Sequence, residues 1–135
     1  MLESTTQIRV RYAETDQMNV VYHGNYAQYF EVGRAEAIRN CGLTYKEIEA
    51  MGVAMPIVEL NIKFLRPAHY DDLLTVKTIL KELPTNHKIE FQHEVYNEQQ
   101  KLLTLGNIVL YFININSREK TLMPLLMHQK LKVWF

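Results

Sequence analysis

Tyr12-Ala13-Glu14-Thr15-Asp16-Gln17-Met18-Asn19-Val20-Val21-Tyr22-His23-Gly24-Asn25-Tyr26-Ala27-Gln28-Tyr29-Phe30-Glu31-Val32-Gly33-Arg34 is the stretch on which the fold turns. Two acids, Glu14 and Asp16, and a histidine, His23, lie on a loop. From Asn25 onward the spacing becomes helical. Tyr26, Phe30, Gly33, Ala37 and Cys41 recur at i, i+4, i+7, i+11 and i+15 and form one stripe. Asn25 is placed as the N-cap, and Asn40-Cys41-Gly42 as the stop, with Gly42 at the C′ position. A glycine inside a helix costs about 1 kcal/mol relative to alanine. Gly33 therefore points to close approach of another backbone, as when a sheet wraps the helix.

Working outward, Gln7 to Tyr12 alternates and predicts a first strand. Thr44-Tyr45-Lys46-Glu47 has the form of a capping box for a short second helix ending near Ala50. Ala54 to Asn116 predicts antiparallel strands. In Ile57 to Leu65, Val58, Leu60, Ile62 and Phe64 face one way and are expected to be buried, with Glu59, Asn61 and Lys63 opposite. Leu73 to Leu83 forms the next strand, closed by Pro84-Thr85-Asn86. His87 to Tyr96 alternates again, with Ile89, Phe91, His93 and Val95 on one side. Leu102 to Asn114 is apolar on both faces, as in a central strand. Pro124 with Leu125, Leu126 and Leu131 predicts a terminal helix. A strand, a long helix and four more strands make an α+β domain with one helix against a curved antiparallel sheet.

A chain of 135 residues is read as a single domain, residues 1–135. Fifteen basic and fifteen acidic side chains cancel, so the global positive field that collects nucleic acid is absent. One cysteine, Cys41, excludes an intrachain disulfide framework and fits a reducing compartment. The first residues lack the basic and apolar regions of a signal peptide, and no apolar run reaches the ~18 residues of a membrane span. The expected location is the cytoplasm, with neither nucleic acid nor membrane as partner.

The quoted stretch resembles the signature of the hot-dog-fold acyl-CoA thioesterases of the 4-hydroxybenzoyl-CoA thioesterase superfamily, in particular its YbgC-like branch. Glu14, Thr15, Asp16, Val20, Val21, Tyr22, His23, Asn25 and Tyr26 fall on that pattern in register. Arg66-Pro67-Ala68-His69-Tyr70-Asp71-Asp72, between two strands, is similar to the family's second characteristic region. The resemblance implies one long central helix wrapped by a curved five-stranded sheet. It also implies a homodimer or homotetramer and an acyl-CoA substrate. Coenzyme A is then part of the substrate, with no other cofactor and no metal, although two acids and a histidine are donors that a divalent cation accepts.

On this resemblance Asp16 is the catalytic carboxylate, attacking the thioester or taking a proton from water. His23 orients or polarises the thioester. Tyr22, Gly24 and Asn25 lie where a helix N-terminus leaves backbone N–H groups to stabilise an oxyanion. From the residues alone, Asp16 is equally an Asx-turn or capping residue, His23 a structural histidine and Gly24 a plain helix-entry glycine. Glu14 is expected to support the loop. Glu31 pairs with Arg34 or Arg11 or faces solvent. Many relatives carry glycine where this chain has Met18 and Asn19. Asn19 tolerates positive φ, and Met18 adds bulk beside the expected acyl pocket, so both enter as substrate-binding candidates. Lys63, Arg66, His69, Lys88 and Arg118 are candidates for the coenzyme A phosphates, Lys63 and Arg66 foremost. His93 is expected in the core or an interface, and Trp134 and Phe135 over a subunit surface. Hydrolysis of an acyl group on acyl carrier protein and a non-catalytic acyl-CoA-binding module are the alternative functions.

Overall fold

The computed structural model describes all 135 residues. Strand β1 (Leu2–Arg9) leads through a 3-10 turn at Tyr12–Glu14, the acidic loop and a second 3-10 turn at His23–Asn25 into helix α1 (Tyr26–Asn40). Helix α2 (Tyr45–Ala50), β2 (Val53–Ala54), β3 (Ile57–Phe64), β4 (Leu73–Leu80), β5 (Lys88–Tyr96), β6 (Leu102–Tyr111), β7 (Ile113–Asn114) and α3 (Leu125–Leu131) follow. The main sheet has five strands in the order β1-β4-β5-β6-β3, every pair antiparallel, and β2 pairs with β7 in a separate ribbon. Sheet and single long helix are those the resemblance implies.

Helix α1 packs on β1, β4 and β5. Tyr26, Phe30, Gly33 and Ala37 of the expected stripe are buried, whereas Cys41 is only half-buried. A β-carbon on Gly33 would lie 2.6 Å from Thr78 Oγ1 and 2.9 Å from Val76 Cγ1. The helix therefore rests directly on β4. Opposite, Phe30 fills the space above Gly106 of β6, where an added β-carbon would meet its ring at 2.5 Å. Helix α1 ends as expected. Gly42 has φ +90°, its N–H donates to the Arg39 carbonyl, and the Leu43 N–H reaches back to Ile38. That is a Schellman stop, closed by the buried side chains of Ile38 and Leu43.

Several expectations are corrected. The first strand begins at Leu2, not Gln7, and ends before Tyr12, because all eight residues from Leu2 to Arg9 pair with β4. Asn25 does not cap α1. Its backbone is already helical, and its Nδ2 donates 2.8 Å to the Glu14 carbonyl, so the chain enters α1 through the preceding 3-10 turn. Thr44 Oγ1 accepts from the Glu47 N–H at 3.1 Å, but the Glu47 carboxylate accepts from the Thr44 hydroxyl and closes only half of the capping box. The fourth strand stops at Leu80, three residues short of Leu83. The last long strand breaks after Tyr111 into the short β7.

The largest correction concerns β3. Val58, Leu60 and Phe64 were expected to be buried, yet they are 43%, 44% and 51% exposed. The alternation is present, but β3 is the sheet edge farthest from β1 and β4, where α1 lies, so no helix covers it and only Phe64 at its end meets other aromatic rings, those of His23 and Tyr26. By contrast Ile89, Phe91, His93 and Val95 of β5 are all buried as expected.

Candidate active site

The two crossings at one end of the sheet, residues 10–25 and 65–72, are knitted together. Val20 bridges His69, and the Val21 N–H donates 2.8 Å to the Ala68 carbonyl. Between them and the tip of β3 lies an open cleft of about 330 Å³, lined by Asp16, Val20, Val21, His23, Tyr26, Phe64, Leu65, Arg66 and Pro67.

Asp16 sits at the head of a tight turn. Its Oδ1 accepts from the Met18 N–H at 2.8 Å, its N–H donates to the Val20 carbonyl, and its carbonyl accepts from the Asn19 N–H. Asn19 closes that turn at φ +64°, the left-handed conformation asparagine tolerates best among non-glycine residues. The Asx-turn role and a place on the cleft thus coincide in one side chain. Only one carboxylate oxygen is engaged by the turn.

Glu14 is the support beneath. Its buried carboxylate accepts at Oε1 from the Arg11 N–H (2.8 Å) and the Tyr29 hydroxyl (3.0 Å), and at Oε2 from the Arg11 guanidinium (3.2 Å). Its carbonyl accepts from the Tyr22 N–H and from Asn25 Nδ2. Loop, helix entry and the first turns of α1 are pinned to one residue.

His23 opens the helix entry, with its ring 4.3 Å from that of Tyr22 and 6.3 Å, edge-on, from Phe64. Tyr26 meets Phe64 edge-on at 5.5 Å. Burial raises the Tyr26 phenol pKa above the ordinary range, so it stays neutral. The Tyr22 ring lies over Gly24, within 2.6 Å of where a β-carbon would stand.

The remaining candidates separate. Arg66 edges the cleft, with one guanidinium nitrogen donating 3.0 Å to the Leu102 carbonyl. Met18 is 80% exposed and is not among the cleft-lining residues. Lys63 lines a groove on the other face of the sheet with Asn61, Gln92, Glu94 and Asn107, because alternation turns it away from Phe64. His69 donates its backbone N–H to Asp72 beside the second crossing. Lys88 pairs across from Tyr111 at the far end of the sheet from the Phe64–Thr104 pair at the cleft, and Arg118 lies in the turn after β7. Glu31 is exposed, since Arg11 pairs with Glu14 and Arg34 turns inward. No group of three or more His, Cys, Asp and Glu side chains is arranged to hold a metal ion.

Two features escaped the sequence reading. Phe64 forms the aromatic wall of the cleft; its place follows from ending a strand just before Arg66-Pro67. Second, a polar cluster lies under α1. His93, stacked on Phe30 at 4.8 Å, has its Nδ1 3.1 Å from Thr78 Oγ1 and its Nε2 3.4 Å from the buried Arg34 guanidinium. Burial, with the Arg34 charge second, holds the His93 pKa down at about 3, so this ring is neutral.

The thioesterase superfamily profile matches residues 18–104. The YneP protein of Bacillus subtilis is 39% identical over 99 residues, 73% of this chain and 71% of that protein. The acyl-CoA thioester hydrolase YbgC of Escherichia coli is 25% identical over 107 residues, 79% of each chain. The crystal structure of a DHNA-CoA thioesterase from Staphylococcus aureus superposes with a TM-score of 0.87 at 32% identity, covering 99% of this chain and 87% of that one.

Proposed function

The chain belongs to the thioesterase superfamily, and from that membership together with the cleft geometry we propose that it hydrolyses acyl-CoA thioesters with Asp16 as nucleophile or general base. The observation that carries this reading is the meeting of Asp16, His23 and Arg66 around one cleft at the entry to α1. An acyl group lies against Phe64, Tyr26 and Val20. The thioester carbonyl lies near His23, and Arg66 at the rim faces the pantetheine or phosphate portion.

The free oxygen of Asp16 attacks the carbonyl carbon, or takes a proton from a water that does. Negative charge gathers on the carbonyl oxygen. Of the three backbone amides proposed to receive it, those of Tyr22 and Asn25 already donate to Glu14 and Tyr22 carbonyls at 2.9 Å. The Gly24 N–H is therefore the donor assigned here, backed by the positive end of α1. The coenzyme A thiolate leaves and water completes hydrolysis. The carboxylate supplies the chemistry without a resident metal or cofactor.

A second copy completes the protein. The bare apolar face of β3 and its unpaired backbone edge fit a twofold partner strand, which continues the sheet and removes the exposed edge. Val58→Asp with Leu60→Asp should convert the dimer, or dimer of dimers, into monomers by light scattering. No helix of the chain is long and apolar enough to cross a membrane, and the single free cysteine accords with a cytoplasmic setting.

Thiol release from a panel of acyl-CoAs, set beside the same acyl groups on acyl carrier protein, tests the function. The expected result is turnover with a preference for coenzyme A thioesters. Tight acyl-CoA binding without thiol release would replace this reading with a non-catalytic module.

A further inference from the structure

Helix α3 and the 3-10 turn after it, residues 125–134, are apolar on both sides. Met127 and Leu131, one turn apart, are fully buried and fasten the segment to the core. On the outward side Leu125 and Val133 are 72% and 75% exposed, joined by Leu122, Leu126, Trp134 and Phe135, which are also exposed. Five exposed aliphatic and aromatic side chains within residues 125–135 are far from the scattered apolar residues of an ordinary surface. Lys130 and Lys132 flank the stripe. Both are exposed, neither is in an ion pair, and residues 120–135 contain three lysines and no aspartate or glutamate. The Lys130 side chain runs across Gly42, at the C-terminal turn of α1, with its ammonium at the surface.

From this pairing of an outward apolar stripe with lysines that no carboxylate pairs we infer that residues 122–135 dock the protein on an anionic lipid surface. Leucine, valine and aromatic side chains enter the boundary between headgroups and acyl chains, tryptophan is at home at that depth, and the lysines meet lipid phosphates. A second copy of this chain fits the stripe poorly. A twofold contact there would bring together two equally basic segments, neither with an aspartate or glutamate to answer the other's lysines. The absence of a spanning helix does not bear on such surface binding.

The full-length protein is sedimented with vesicles of equal parts phosphatidylcholine and phosphatidylglycerol, and with phosphatidylcholine alone. It should pellet with the anionic vesicles, less so with the neutral ones, and less again as salt is raised. Lys130→Gln and Lys132→Gln should each lower the partition coefficient about fivefold. Leu125→Ser with Val133→Ser should release the protein while hydrolysis of a short, soluble acyl-CoA stays unchanged. No preference for anionic vesicles, parental pelleting of the variants, or a smaller assembly in the Leu125→Ser, Val133→Ser protein would each overturn the inference. Vesicle binding is read without turnover, so its outcome is independent of the proposed reaction.

Discussion

The Tyr29 hydroxyl donates a 3.0 Å hydrogen bond to Oε1 of Glu14, joining the second turn of α1 to the acidic loop. Burial, with the Glu14 carboxylate adding to it, raises the Tyr29 pKa well above the ordinary phenol range, so this donor keeps its proton. Hydrogen bonds to a charged group contribute about 1.5–3 kcal/mol. Tyr29→Phe should therefore lower unfolding stability by about that much and loosen the turn that carries Asp16. Urea unfolding measures the first effect, and an unchanged midpoint would show that the contact contributes nothing.

Gly33→Ala sets two effects against each other. Helix propensity favours alanine by about 1 kcal/mol. Its β-carbon would press on Thr78 Oγ1 and Val76 Cγ1, both well inside contact distance, and overpacking of this kind costs about 1–3 kcal/mol. Thr78 is also held by His93, so it yields poorly. The expected net is a loss of up to about 2 kcal/mol by thermal or urea unfolding. A variant more stable than the parent would contradict the close packing of helix and strand.

Features set by local geometry were legible in the sequence. The stripe of α1, the stop at Gly42, the β5 alternation and the positive φ at Asn19 each follow from a period or a single residue's conformational range. Features set by distant partners were not. Leu2 to Thr6 carry no apolar alternation, and only pairing with β4 makes them a strand. Asn25 looked like a cap until the Glu14 carbonyl claimed its side chain. The β3 pattern correctly marked one face as apolar, but which element covers a face is a property of the sheet order. Arg34, four residues after Phe30, falls on the buried stripe, but its charge argues for solvent, and only His93 from β5 explains what it meets there. At the candidate site the motif drew attention to Asp16, His23 and Arg66, which do share a cleft. It could not say that the Tyr22 and Asn25 amides are already occupied.

His93 makes stability depend on acid. Its folded pKa is held to about 3, below the ordinary 6.5, chiefly by burial. Between those values the unfolded chain binds the extra proton and the folded one does not, so stability is full above about pH 6.5 and falls as the pH drops toward 3. The slope contributed is at most about 1.4 kcal/mol per pH unit. His93→Gln should flatten this part of the stability–pH curve, measured by urea unfolding from neutral pH downward. An equally steep fall in the variant would assign the acid sensitivity to carboxylates elsewhere.

Asp16→Asn separates the two roles its geometry combines. Asparagine Oδ1 can still accept from the Met18 N–H, so the turn and the unfolding midpoint should persist, while the charge that attacks or deprotonates is gone. Thiol release from a good acyl-CoA substrate, compared between parent and variant, reads the contribution of that charge directly. A loss of about 10²–10⁴-fold in kcat with acyl-CoA binding retained is the expected result; turnover near the parental rate would contradict it.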